Sequence, residues 1–304
     1  MIDARLLLAL DGDGVELPSE GIIAVFQPPL DADLPGLDKD RVQIIQAFKP
    51  DYDAWAARGY DVVRNVKDRY AACIVCLPRA KNEARALIAD ACEVCDGIVV
   101  IDGQKTDGVD SILREMRTRV TVCGPSLTDG GFWTAPGVFS ADGVDLASAL
   151  LVDALPENLG SEVADLGAGW GFLSAHALTR ESIKKIYLIE AGHMALECAR
   201  RNVTDERAEF IWEDATIWEP PHRMDTVIMN PPFHIGRAAE PQIGQAFVAA
   251  AARILSPQGK LWMVANRHLP YEAELKTRFV HVEEIGGDAR FKLFHAARPL
   301  RKRR

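Results

Sequence analysis

No apolar run in this 304-residue chain approaches the roughly 20 residues that a membrane-spanning helix needs. The stretch Leu6 to Leu10, behind Arg5, is too short and carries its charges in the wrong order for a signal peptide. A cytoplasmic protein with no membrane partner is the expectation. Positive charge is also scarce: 35 Lys and Arg stand against 44 Asp and Glu, a net −9. Phosphate binding is largely electrostatic, so this balance argues mildly against a nucleic-acid partner. Its distribution softens that argument. Residues 1–130 hold 15 basic and 22 acidic side chains, whereas residues 131–304 hold 20 and 22. From Arg290 to Arg304 there is no acid at all, and such a basic tail either meets phosphates or is simply solvated.

A dinucleotide fingerprint is missing as well. The segment Glu162 to Phe172 reads as a short strand, an acid, a glycine-rich turn and then a helical pattern from Leu173. Counted from Gly167, the third glycine of G-x-G-x-x-G would be Phe172, too large for close helix–strand packing. What is present is D-L-G-x-G-x-G: Asp165, Gly167, Gly169 and Gly171. An acid placed to meet a cation favours S-adenosylmethionine over a nicotinamide cofactor. The next strand, Ile186–Ile189, ends in Glu190, an acceptor for two ribose hydroxyls. The strand Ala208–Trp212 leads to Asp214, placed to read an adenine amine.

The most informative residues are Asn230-Pro231-Pro232-Phe233, directly after the apolar run Asp225–Met229. The Asn230 side-chain oxygen accepts a hydrogen bond, and Pro231 restrains both itself and the residue before it. The carbonyl ahead of Pro232 is a further acceptor, and Phe233 offers a stacking face. Together they form a bracket for something flat that carries an exocyclic amine. Ligands of open α/β sheets bind at the carboxyl ends of strands. The order Asp165, Glu190, Asp214, Asn230 at successive strand ends fits that rule.

Six cysteines include Cys73-x-x-Cys76 and Cys92-x-x-Cys95, a spacing that zinc sites use. Cys73–Leu77 reads instead as a buried strand, in which residues three apart face opposite sides. Cys92 and Cys95 read as the end of a helix that starts near Lys81. Core thiols, no metal and no stable disulfide are expected. The first half alternates strand and helix: Gly21–Phe26, Val42–Phe48, Ala71–Leu77, Gly97–Ile101 and Val120–Cys123 are its strands. That argues a parallel sheet. The Leu77-Pro78 junction is laid out like Asn230-Pro231-Pro232, yet this half has no D-x-G-x-G-x-G and no Asn at the corner. A duplicated domain that lost its cofactor site has this form. The expected division is 1–125, a linker at 126–136, and 137–304.

On these motifs the chain resembles the bacterial guanine-N2 ribosomal RNA methyltransferases, in particular the small-subunit methyltransferase C family. The resemblance is carried by Pro136–Ser140 with Asp142–Asp145, by Asp165–Gly171, by Asn230–His234, by Val264–Tyr271 and by Arg290–Lys292. It implies an α/β fold of two tandem Rossmann-like methyltransferase domains, the second a class I seven-stranded S-adenosylmethionine-dependent one. It further implies a monomeric enzyme that methylates a guanine N2 amine in ribosomal RNA or the small ribosomal subunit, with Phe139 among the cofactor contacts. Alternatives from the same bracket are large-subunit ribosomal RNA, adenine N6 or a glutamine amide. The non-enzyme alternative is a cofactor-sensing scaffold that binds RNA or protein.

Overall fold

The computed structural model describes residues 15–301 apart from Pro35, Lys67, 104–107, 117–125, Asp129, Pro136, Asp142, Phe233, 236–237 and Glu240. The chain divides into two compact units, Met1–Pro125 with Ala135–Gly137 and Ser126–Thr134 with Val138–Arg304.

In the first unit, strands β1 (Ile23–Phe26), β2 (Val42–Ile45), β3 (Asp61–Val63), β4 (Tyr70–Cys76) and β5 (Cys95–Asp102) form one sheet. Its order is β3-β2-β1-β4-β5 and every pair is parallel. The crossovers carry helices α1 (Lys49–Ala57) and α2 (Lys81–Val94), and α3 (Val109–Met116) follows β5. Strand alternation sends Val25, Ile44, Ile74 and Cys76 to one buried face and Phe26, Cys73 and Val75 to the other. Cys73 and Cys76 therefore face apart, as strand geometry requires. Cys95, expected at the end of a helix, is instead the first residue of β5. Its N–H closes α2 onto Ala91 O while its own backbone is already extended. The expected strand Val120–Cys123 lies outside the described residues.

Residues 126–136 do not stand apart as the expected linker. Ser126–Leu127 (β6) and Trp133–Thr134 (β7) pair antiparallel and belong to the second unit. There, α4 (Leu146–Ala154) precedes β8 (Glu162–Leu166), α5 (Phe172–Ala177), β9 (Lys185–Glu190), α6 (His193–Asn202), β10 (Ala208–Trp212) and β11 (Met224–Met229). The chain continues through β12 (His234–Ile235), β13 (Ala238–Ala239), α7 (Pro241–Ile254), β14 (Leu255–Asn266), α8 (Tyr271–Arg278), β15 (Phe279–Gly287) and β16 (Phe291–Pro299). The main sheet has seven strands in the order β10-β9-β8-β11-β14-β16-β15. β8 to β11 and β14 run parallel; β16 inserts antiparallel between β14 and β15. Buried apolar residues cover both faces, with Leu166, Met229 and Met263 on one and Val163, Leu188 and Ile228 on the other. Truncating Leu188 or Ile228 to Ala would cost about 2–5 kcal/mol. At the amino edge one carboxylate oxygen of Asp225 accepts the N–H groups of Ser161 and Glu162, at 2.8 and 3.1 Å. This pins the start of β8 to β11. At the opposite edge the chain leaves β8 for one half of the sheet and β11 for the other, so a crevice opens between them.

Candidate active site

Four strand ends meet at that crevice. Asp165, on the buried face of β8, is wholly enclosed. Its Oδ2 accepts the Ser174 hydroxyl at 2.7 Å, while Oδ1 is buried with no partner among the described residues. Burial pushes this carboxyl up to about 7, against the Ser174 hydrogen bond, which pulls it down. A buried acceptor without a donor is costly unless something else supplies one. The three glycines that follow all take positive φ: 74° at Gly167, 56° at Gly169 and 89° at Gly171. At Gly167 a Cβ would also stand 3.2 Å from the Phe247 ring. The backbone is thus left bare where a ligand can approach it.

Glu190 ends β9 and holds that loop. Its Oε2 accepts the Gly169 N–H at 2.8 Å and its Oε1 accepts the Gly192 N–H at 2.7 Å. Burial raises its pKa, and these backbone donors oppose the rise. The Ala191 N–H also acts on this carboxylate, which still has lone-pair capacity for a further donor. Asp214, beyond β10, accepts the N–H and hydroxyl of Thr216 through Oδ1, at 2.8 and 2.7 Å, closing the turn that follows. Trp170 does not obstruct the loop. Its ring packs on Phe132 and Phe172, with centroids 5.0 and 5.6 Å away, and its indole N–H donates to Phe139 O at 3.0 Å. Phe139 is thereby tethered with its ring half exposed.

Asn230 follows β11, with Pro231 buried and Pro232 exposed behind it. Phe233 lies outside the described residues. Both hydrogens of the Asn230 amide are engaged: Nδ2 donates to Asp145 Oδ2 and to Ser148 Oγ, each at 2.9 Å. Asp145 caps α4, and the same Oδ2 accepts the Ser148 N–H at 2.8 Å. The Asn230 oxygen has no partner among the described residues. Two cavities abut this side chain. One runs along the glycine loop, past Gly167, Gly169 and Ser148. The other is lined by Pro231, Asn266, Leu269, Tyr271 and Phe291. Phe139, Asp145 and Asn230 border both.

The structure therefore gathers Phe139, Asp165, the three glycines, Glu190 and Asn230 around the crevice, with Asp214 at the adjoining strand end. Asp145 closes the Asp142–Asp145 motif, which assigns it no role at the site, and Ser148 belongs to no motif. The available signal is an Asp ahead of an apolar helical run, which marks a helix start and not a site. Asn266 and Tyr271 sit in the Val264–Tyr271 segment, but their place in a cavity follows from packing. Among the described residues no group of three or more His, Cys, Asp or Glu side chains could hold a metal ion, and no helix is long and apolar enough to cross a membrane.

A seven-stranded sheet of this order, with a glycine loop after its first strand and an Asn-Pro-Pro corner after its fourth, defines the second unit as a Rossmann-like class I methyltransferase fold. Residues 129–295 match the methyltransferase small domain family, and the chain belongs to that family. It is similar to ribosomal RNA large subunit methyltransferase G of Shewanella amazonensis, 36% identical over 167 residues that make up 53% of this chain and 44% of the relative. It is also similar to ribosomal RNA small subunit methyltransferase C of Hahella chejuensis, 34% identical over 167 residues, 55% of this chain and 49% of that one. The chain spans about half the length of these curated relatives. A solved T. thermophilus 16S rRNA N2 methyltransferase, in complex with AdoMet and guanosine, has the same fold, with a TM-score of 0.75 at 22% identity over 93% of this chain and 90% of that one.

Proposed function

We propose that the chain is a cytoplasmic, monomeric enzyme that methylates the exocyclic N2 amine of a guanine in small-subunit ribosomal RNA, using S-adenosylmethionine. One observation carries the reading: Asn230, its amide hydrogens held and its oxygen unpaired among the described residues, stands in the wall shared by two cavities. The glycine-loop cavity suits the cofactor. Asp165 Oδ1, without a donor among the described residues, fits the cofactor's ammonium, and the two oxygens of Glu190 fit a ribose diol. Asp214 and Phe139 complete this set. When bound, the cofactor supplies an electrophilic methyl group on a sulfonium. The cavity of Asn266, Tyr271 and Phe291 takes the base.

A guanine N2 lone pair is conjugated with the ring and poorly nucleophilic. Asn230 Oδ1 and the Pro231 carbonyl oxygen accept the two amine hydrogens and turn the lone pair out of the ring plane toward the cofactor cavity. Phe233 stacks on the extruded base, since an enzyme working on a base edge must splay that base out. Orientation supplies most of the rate, and no metal is needed. The first unit carries no cofactor site in this reading. The identity to a large-subunit methyltransferase favours a second reading, in which the substrate is large-subunit RNA and the chemistry is unchanged.

Asn230→Ala should lower turnover on ribosomal RNA from a deletion strain by at least about 10²-fold, the scale of losing one preorganised polar contact to the reacting group. Cofactor affinity measured by calorimetry should stay within about threefold, since the change leaves the glycine loop intact. Mapping N2-methylguanosine on the separated RNAs decides between the two subunits. Normal turnover by Asn230→Ala would falsify the mechanism.

A further inference from the structure

We infer that Asp145 and Ser148 are positioning residues that decide which end of the Asn230 amide faces the acceptor cavity. The inference rests on the role given to Asn230 above. An Asn side chain presents an oxygen and an NH2 group of nearly the same shape, so shape alone does not orient it. At this corner the chemistry does. One amide hydrogen goes to the Asp145 carboxylate and the other to the Ser148 hydroxyl, both at 2.9 Å. Turned over, the amide would set its oxygen against that carboxylate, acceptor against acceptor. It would also point its hydrogens at the hydrogens of the incoming amine, and nothing would turn the lone pair.

The two anchors are themselves fixed. Asp145 is the N-cap of α4, and its Oδ2 takes the Ser148 N–H as well as the Asn230 amide. Ser148 is buried on the first turn of that helix. A helix start 85 positions from Asn230 in sequence thus serves as the platform for the amide. Asp145 borders both cavities, so its carboxylate holds the amide at the point where donor and acceptor must meet. Neither side chain needs to touch the reacting atoms.

Ser148→Ala is the cleaner test, because the Asp145 cap to the backbone N–H of residue 148 is kept and only one partner of Asn230 is lost. Turnover number should fall about three- to tenfold, as for a single neutral hydrogen bond, with cofactor affinity within about threefold. Asp145→Asn keeps a capping oxygen but removes the charge that rejects the flipped amide, and should cost about ten- to a hundredfold in turnover number. A purely structural role would not move the side-chain amide spectrum. In nitrogen-15-labelled protein the two Asn230 Nδ2 protons, identified by their loss in Asn230→Ala, should be separate and protected from exchange. One of them should lose protection in Ser148→Ala. If both variants turn over at the wild-type rate while Asn230→Ala is inactive, the positioning role is wrong and the function stands. If Asn230→Ala is itself active, both fail together.

Discussion

Both units start alike at the carboxyl edge of the sheet. The N–H of Gln27 donates to Ile45 O at 2.9 Å in one, and the N–H of Gly167 donates to Ile189 O at 2.9 Å in the other. Both residues have left-handed backbones, with φ of 48° and 74°. With that pair matched, the strand registers carry the comparison along the edge. Val25 stands for Asp165, Gln46 for Glu190 and Cys76 for Asn230. Gln46 even keeps the same turn: its Oε1 accepts the Phe48 N–H at 3.0 Å, as Glu190 Oε1 accepts the Gly192 N–H at 2.7 Å. The glycine loop is replaced by Pro28 and Pro29, with Pro28 O held by the Trp55 indole at 3.1 Å. The order of the five parallel strands and their buried faces are common to both sheets, while the acids and the Asn at the compared strand ends belong to the second alone. The apolar runs specify the sheet, and a few edge residues specify what it can hold.

The largest expected effect comes from carrying the first unit's residue into the second. Gly167→Gln should be tolerated by the backbone, as Gln27 is, at a cost of about 1–3 kcal/mol for a side chain at positive φ. Its Cβ would press on the Phe247 ring and displace the loop that lines the cofactor cavity, and cofactor affinity should drop about 100-fold or more, the equivalent of about 2.7 kcal/mol. Calorimetry with and without the substitution measures this. Retained affinity would mean that the bare loop is not what separates the two sheets. A milder exchange is Glu190→Gln. The Gln46 turn shows that an amide oxygen can keep the Gly192 contact, but the amide nitrogen would then face the Gly169 N–H, so stability should fall by about 1–3 kcal/mol. Affinity should fall about tenfold, the difference between a charged and a neutral acceptor.

Why these corners could be read from sequence, and others could not, follows from where each signal lies. Asp165, Glu190 and Asn230 terminate apolar runs, and the glycines announce a turn by composition, so local pattern places them. Asp145 and Ser148 act on Asn230 only because α4 packs beside the carboxyl end of β11, which no local pattern encodes. Cys95 follows α2 with no glycine or proline between helix and strand; the nearest glycine, Gly97, already lies inside β5, so the local signal falls two residues late. The junction at Leu77-Pro78 shows a third kind of gap. It resembles Asn230-Pro231 in layout, but register makes Cys76 the counterpart of Asn230 and Pro78 the counterpart of Pro232. Register is decided by neighbouring strands and not by the residues themselves.

Asp165 offers a smaller effect that needs no substitution. Its carboxyl titrates near 7 in the folded chain, against 3.8 for the free group. Because the folded value is raised, the stability this group contributes is fully present below the unfolded pKa and is lost as pH climbs to about 7. A bound cation favours the ionised form, so binding runs the opposite way. Cofactor affinity should rise about three- to tenfold between pH 6 and pH 8, with proton release at the lower pH. Calorimetry in buffers of different ionisation enthalpy reads both. Asp165→Asn should flatten the profile; an unchanged profile in that variant would place the titration elsewhere.

The smallest functional effect is expected from the reverse exchange, Gln46→Glu in the first unit. If one edge carboxylate were enough to make a cofactor site, this change would create a second one. The comparison says it will not, because Val25 and the Pro28-Pro29 segment remain where an acid and a bare glycine loop would be needed. Cofactor stoichiometry should stay at one per chain. The cost should appear in stability instead. Gln46 is buried, and a carboxylate there would be desolvated with only the Phe48 N–H to stabilise it. Its pKa would rise, so any loss should grow as pH increases from about 5 to 8, and be small, about 1–2 kcal/mol, where the acid is protonated. A melting series across that range distinguishes this outcome from a general packing defect, which would lower stability equally at every pH.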